Sequence, residues 1–343
     1  MGPDPRNFNQ RVNLGRNDLL IRTFPREPTQ NKKRSVKVKR NTRYINKLLA
    51  IQECSALEAN EIGFIARFLI QATLPHSNPG LNEWCRKNGN LTMHMMAPSA
   101  VGLPFGCYAR LLLVWVSSQA VRNKSKLDKG FITEQEARKL ELGRSQRRFM
   151  EDLGLRSTGG KNGSINPFRE QIRRLFKTTV SVTFAELNEE SGYVCEDEMG
   201  ARVADVSHIL WSAKQPEKDF LWESWVELSP KFFQLITDKP VPLDMRVLRL
   251  IKRSPMALDI YCWATYRVSY LKRVTIIPWL GLMEQMGSNY ADVRDFRRRF
   301  NDGLEKVQRA WPGLDATPTD KGLLIKPSAP QVPRRKKYRT EGY

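Results

Sequence analysis

FMEDLG at residues 149–154, followed by INPFREQIRRLFK at 165–177, is answered in the second half of the chain by LMEQMG at 282–287, followed by VRDFRRRFNDGLEKV at 293–307. In each pair a short segment runs into a glycine, Gly154 or Gly287, the residue best suited to the left-handed position that ends a helix. An amphipathic stretch comes next. Ile165, Phe168, Ile172, Leu175 and Phe176 recur at i, i+3, i+7, i+10 and i+11, and Val293, Phe296, Phe300, Leu304 and Val307 begin with the same two steps, the period of a helix with one buried face. Ser164 is placed to cap the first of these helices and Ser288 or Asn289 the second. A helix closed by glycine, then a longer one with an apolar inner face, is what a helix-turn-helix requires. The second helix is braced from behind, and its outer face is left to enter a groove.

The flanking elements match in both halves. PFGCYARLLLVWVSSQAVRN (104–123) and MALDIYCWATYRVSYL (256–271) are apolar nearly all round, as expected of a helix at the centre of a small domain. Thr133-Glu134-Gln135-Glu136 resembles a capping box, and the next helix is predicted over Ser145–Leu153. Thr178–Phe184, Arg202–Trp211 and Leu221–Leu228 are rich in β-branched and aromatic residues and predict a small antiparallel sheet. Ser229-Pro230 and Ser254-Pro255 each set a capping serine before a proline suited to the first helical position. Val274–Ile277 predicts a short strand, Pro278–Met286 a helix, and Leu314–Thr317 with Leu323–Lys326 a β-hairpin.

This order predicts an α+β fold, mainly α, of two tandem winged-helix domains at 97–238 and 239–330. Before them the pattern predicts a flexible basic arm over 1–43 and a helical extension over 44–96, where Leu48, Leu49, Ile51, Leu57, Ile62, Ile65, Leu69 and Ile70 recur at helical intervals. A basic tail, 331–343, follows. The arm, with Lys32-Lys33-Arg34, Lys37, Lys39, Arg40 and Arg43, is read either as a nucleic-acid arm or as a solubilising segment.

Over 343 residues, 57 Lys and Arg stand against 36 Asp and Glu, a formal charge of +21. An acidic polymer is the expected partner, and nucleic acid fits best because cations neutralise phosphates and release condensed counterions. On the first amphipathic helix Arg169, Arg173 and Lys177 fall at i, i+4 and i+8 with Arg174 beside them, a cationic set suited to phosphates. On the second, at about 100° per residue, Arg294, Arg298, Asn301 and Arg309 lie opposite the buried stripe, flanked by Arg297, Arg299 and Lys306. Arginine forks can meet guanine and Asn301 can pair with adenine, so this helix is the one expected to read sequence in the major groove of duplex DNA. The competing reading is a solvated face in which Asp292, Asp295, Asp302 and Glu305 pair with those arginines. Lys161, in Gly159-Gly160-Lys161-Asn162-Gly163, is expected to touch the DNA backbone.

Catalytic and cofactor readings find no purchase. There is no GxxxxGK[ST] phosphate loop, and His76, His94 and His208 form no HxH or HExxH pair. Glu189-Glu190 and Glu196-Asp197-Glu198 read as an exposed acidic insert between strands rather than a metal site. Cys54, Cys85, Cys107, Cys195 and Cys262 are scattered, with no CxxC pair, and read as buried free thiols. Leu111–Val116 is the longest apolar run, far short of the ~18 residues of a membrane span, and Met1–Gln30 has no apolar signal core. A cytoplasmic, non-enzymatic protein with no cofactor and no membrane partner is expected.

GLPFGCYARLLLVWVSSQAV, LELGRSQRRFMEDLGLRSTGG, LWESWVELSPKFFQLI and KPVPLDMRVLRLIKRSPMALDIYCWATYR, joined by IPWLGLMEQMG and KPSAPQVP, together resemble the plasmid-encoded RepA replication initiators over Ala97–Pro330. The resemblance implies binding to short direct repeats (iterons) in double-stranded plasmid origin DNA, opening of adjacent DNA, and recruitment of the host replicative helicase and host initiator protein. It also implies repression of the protein's own gene as a dimer in equilibrium with monomer, paired through the first winged helix. Origin reading would fall to the helix bearing Arg294, Arg298 and Asn301, assisted by Arg169, Arg173 and Arg174. A dedicated transcriptional repressor is the alternative. A replication nickase with a tyrosine nucleophile is the rival from another class, for which Tyr338 and Tyr343 are poor candidates because they sit in a polar tail.

Overall fold

The computed structural model describes residues 30–143, 145–160, 162–187, 194–210, 223–286 and 289–333. The arm before residue 30, the tail from Arg334, Lys161, Gly287, Ser288, Glu189-Glu190 and the start of the 221–228 stretch lie outside them. The chain opens with helix α1 (Gln30–Glu53), strand β1 (Ile62–Ile65) and helix α2 (Arg67–Gln71), then hairpin strands β2 (Glu83–Asn88) and β3 (Leu91–Met96). Next come α3 (Gly106–Leu127), α4 (Glu134–Arg138), β4 (Lys139–Glu141), α5 (Gln146–Asp152) and α6 (Ile165–Phe176). Four strands follow: β5 (Thr179–Leu187), β6 (Val194–Arg202), β7 (Ala204–His208) and β8 (Trp225–Leu228). Then come α7 (Pro230–Thr237), β9 (Val241–Asp244), α8 (Met245–Ile251), α9 (Pro255–Val268), β10 (Thr275–Pro278), α10 (Trp279–Gln285), α11 (Val293–Ala310), β11 (Ala316–Pro318) and β12 (Gly322–Ile325). Elements of both kinds in this mixture make the fold α+β.

Met1–Arg43 and Tyr44–Tyr343 are separate units, and the described part of the first is the beginning of α1. The basic run 32–43, expected in a flexible arm, is therefore helical. In the second unit α3 is the centre. Its Leu111, Leu112, Val116 and Ala120 are buried, and β1 lies so close that a Cβ on Gly63 would fall 3.2 Å from Ser118 Oγ and would collide with Met245 Sδ of α8. Ser118 Oγ accepts from the Phe64 backbone N–H at 2.7 Å, which satisfies a strand donor that a helix neighbour would otherwise leave bare.

The helix starts follow the residues that predict them. Ser145, Ser229 and Ser254 accept from the N–H groups of Arg148, Phe232 and Ala257, and Thr133 with Glu136 forms the complete capping box. α11 is capped by Asp292, whose Oδ1 accepts from Arg294 N at 2.8 Å, and not by the expected Ser288 or Asn289. Asn289 Oδ1 instead accepts from Arg86 on β2 at 2.8 Å. Gly154, at φ 72°, ends α5 as expected.

Two small sheets repeat a pattern. In the order β4-β8-β7 and in the order β10-β12-β11, the strand before a helix pair lies beside the last strand of the group, all antiparallel. The pair α5–α6 sits between β4 and β7 in the chain, and α10–α11 between β10 and β11. The first half carries an addition: β5 and β6 leave α6 and join β2 and β3 in a four-stranded sheet, β2-β3-β5-β6. Glu196, Asp197 and Glu198 are thus residues of β6, paired with β5, and not a free insert.

The stretch 44–96 differs from the helical extension that periodicity predicts. It contains three strands, two of them paired into the four-stranded sheet and β1 paired with β9. Gly89, at φ 57°, and Asn90 close the β2–β3 hairpin, a two-residue turn of the kind such glycines permit. Leu91, Met93 and Met95 point inward at strand period.

Candidate nucleic-acid interface

Aromatic packing fixes both long helices from behind. On α6, Phe168 is fully buried, with ring centroids 5.8 Å from Tyr108 of α3 and 5.6 Å from Phe149 of α5. On α11, Phe300 stands 5.6 Å edge-on from Trp279 of α10, and Phe296 lies 5.7 Å from Phe300 and 5.9 Å from Tyr290. Each brace joins a short helix to the longer one that follows.

The outer face of α11 carries exposed Arg294, Arg298, Arg299, Lys306 and Arg309. Arg298 pairs with Asp295 at 3.2 Å and Arg309 with Glu305, all four side chains more than half exposed. Exposed ion pairs are worth about 0–1 kcal/mol, too little to keep these arginines from a phosphate or a base. The local carboxylates therefore do not close the face.

Two residues of the expected set turn aside. Arg297 Nη2 donates to Asp320 Oδ1 at 3.0 Å and its guanidinium lies 5.5 Å from the Trp279 ring, so it ties the helix to the β11–β12 turn. Asn301 is half-buried, and its Oδ1 is buried with no partner among the described residues, so the acceptor needed for adenine faces inward. Arg297, Asn301 and Gln308 share one flank of the helix. Gln308 Nε2 donates to Ala316 O at 2.8 Å, so the hairpin covers that flank, which a helical wheel alone does not reveal. Exposed Lys321, beside Asp320 in the same turn, carries no periodic signal in the sequence and stands near the cationic end of α11.

On α6 the cationic set thins. Arg173 and Lys177 are exposed, although Arg173 pairs with Glu170 at 3.2 Å. Arg169 is half-buried and donates to Gln146 Oε1 at 3.1 Å, and burial lowers its pKa. Arg174 is a scaffold residue and not a groove residue. Only 14% of its side chain is exposed; it donates to Glu170 at 2.9 Å and to Leu103 O at 3.0 Å, and it lies over the Phe105 ring. Burial would raise the Glu170 carboxyl, but hydrogen bonds from Arg173 and Arg174 outweigh it and hold the pKa below the ordinary value.

Among the described residues no group of His, Cys, Asp and Glu is arranged to hold a metal, and no helix is long and apolar enough to cross a membrane. Cys262 is buried and Cys54 and Cys107 half-buried, but Cys85 and Cys195 are exposed on β2 and β6, against the expectation that all five are buried. Burial pushes the Cys107 thiol up to about 11. His94 contacts Cys85 Sγ at 3.4 Å, and His208 stacks on Trp225.

These features define a basic α+β protein carrying two braced helix pairs, the second with an open arginine face. The family described as "Plasmid encoded RepA protein" matches residues 103–279. This chain belongs to that family of plasmid replication initiators. Among solved structures, domains 2 and 3 of RctB, as selenomethionine derivatives, align over 76% of this chain and 96% of theirs, with 10% identity and a TM-score of 0.48. A second structure, RctB residues 155–483, covers the same shares with 10% identity and a TM-score of 0.43. No curated protein matches.

Proposed function

We propose that the protein starts plasmid replication by binding direct repeats in double-stranded origin DNA through two winged-helix modules, within 97–238 and 239–330. Family membership and the repeated sheet order around α5–α6 and α10–α11 support this reading. The observation that carries it is the open face of Arg294, Arg298, Arg299, Lys306 and Arg309 on a helix braced by Phe296 and Phe300. Arg294 and Arg298 are the base readers, with their forks suited to guanine. Arg173 of α6 and Lys177 at its end, with Lys161 before it, hold phosphates and set register. No catalytic step is involved. The protein opens the adjacent duplex, brings in the host helicase and host initiator, and as a dimer joined through the first module represses its own gene.

The test is replication itself. A plasmid carrying the DNA that flanks the gene should be maintained when the protein is supplied in trans. Tight, specific binding without maintenance would instead identify a dedicated repressor.

At residue level, Arg298→Ala should weaken binding to the repeats by ~1–3 kcal/mol and relax preference at one base pair. Lys177→Ala should weaken binding to all duplexes alike and lower the salt slope by about one. Anisotropy titrations against repeat and unrelated duplexes separate the two effects, and unchanged affinity in both variants overturns the assignment of the helices.

A further inference from the structure

A second group of cations gathers away from the α11 face. Arg246, at the start of α8, donates to Ala50 O and Cys54 O at the end of α1, both at 2.9 Å, so the preceding turn of α1, with Lys47, lies near α8. Farther along α8, Arg249 donates to Asp152 O at 3.2 Å and lies against Gly154, so the end of α8 meets the end of α5 and the chain that leads to Arg156. Lys252 and Arg253 follow at the α8–α9 junction. Glu61 neutralises Arg249 at 2.7 Å. Lys47, Arg156, Lys252 and Arg253 have no carboxylate ion pair among the described residues, and all but the half-buried Lys252 are exposed.

Like charges left together without counterions raise the energy of a fold unless an anion joins them. We infer that Lys47, Arg156, Lys252 and Arg253 form a phosphate site that grips the backbone of duplex DNA outside the two helix faces. The ligand is the phosphodiester group. Duplex DNA is favoured over an acidic protein segment because Arg156 belongs to the chain joining α5 to α6, the first helix pair proposed to lie on DNA, an inference that rests on that reading.

The titration of Lys252 agrees with this placement. Burial, then the charges of Lys47, Arg253, Arg156 and Arg249, push it down to about 8. A phosphate among these groups would restore its proton. Binding at pH 8 should therefore take up a fraction of a proton, detectable by calorimetry in buffers of different ionisation enthalpy.

Lys252→Gln combined with Arg253→Gln, and separately the exposed Arg156→Gln, should weaken repeat and unrelated duplexes equally. Each should lower the salt slope by about one for every phosphate no longer neutralised. Proton uptake should vanish in the Lys252→Gln variant, while the melting temperature of Arg156→Gln should stay within about 2 °C of the parent. Unchanged salt slopes and unchanged uptake in both variants would overturn the site. So would uptake seen with polyglutamate but not with duplex. A parent protein without preference for the repeats would instead undo the origin-binding proposal, while the salt slopes on unrelated duplex still report on this site.

Discussion

Asp259→Ala is expected to remove about 3–5 kcal/mol of unfolding free energy, because it strands a buried charge. Arg110 of α3 donates through Nε to Asp259 Oδ1 at 2.6 Å and through Nη2 to Oδ2 at 2.7 Å. It also donates to Leu74 O, Pro75 O and Gly106 O. His76 Nε2 stands 2.8 Å from the same carboxylate, as a neutral ring donating its proton. One guanidinium thus joins the central helix of the first half, the loop before β2, and the central helix α9 of the second. Removing the carboxylate leaves the buried Arg110 without its counterion.

The pH dependence follows from the same network. Burial raises Asp259, but the Arg110 charge and the hydrogen bonds from His76 and Arg110 outweigh it and hold the carboxyl at about 2. Its folded pKa lies below the unfolded value of ~3.9, so its contribution is complete above ~4 and is lost as pH falls towards 2. His76 is also depressed, chiefly by burial and against the pull of Asp259. The unfolded chain therefore takes up that proton first, and stability begins to fall below pH ~6.5. Urea midpoints measured between pH 7 and pH 3 should decline in both stages for the parent. The lower stage should be smaller in Asp259→Ala, where other lowered carboxyls such as Glu170 still contribute, and a variant as stable as the parent at pH 7 would contradict the linkage.

What the sequence disclosed was periodic and local. The two helix pairs, the caps at Ser145, Ser229 and Ser254, and the final hairpin follow from spacing and capping chemistry that act within a turn or two of the chain. Strands β2 and β3 escaped because Glu83–Asn88 and Leu91–Met96 carry a single β-branched residue, Thr92, though Gly89-Asn90 was a legible turn signal. β1 was read as helix because Ile62 and Ile65, three apart, fit the helical interval, whereas the strand buries Ile65 with Gly63 and turns Ile62 to the other face. At the interface, spacing placed Arg294 and Arg298 outward, as found. It misplaced Arg174 and Asn301, whose surroundings are set by Leu103 and the β11–β12 hairpin, partners distant in sequence. The pairing of Asp259 with Arg110 had no local signal at all.

Phe300→Ala is expected to be as costly as the loss of Asp259, about 3–5 kcal/mol, and more telling about function. Phe300 is fully buried and meets Trp279. Trp279 in turn donates from Nε1 to Thr319 O at 2.9 Å in the turn before β12, where Arg297 reaches Asp320. The ring therefore holds α11, α10 and the hairpin in one arrangement, and with it the aim of Arg294 and Arg298. The substitution leaves every cation in place. At a temperature where the variant is still folded, its salt slope should match the parent, because counterion release depends on the number of phosphates met. Its preference for the repeats over unrelated duplex should fall, because base contacts need fixed geometry where phosphate contacts do not. Phe168→Ala, the equivalent cut behind α6, should cost similar stability and leave preference largely intact, since α6 offers phosphates only Arg173 and Lys177. Equal loss of preference in both variants would show that discrimination is shared between the two helix pairs, and an unchanged ratio in Phe300→Ala would remove α11 as the reader of sequence.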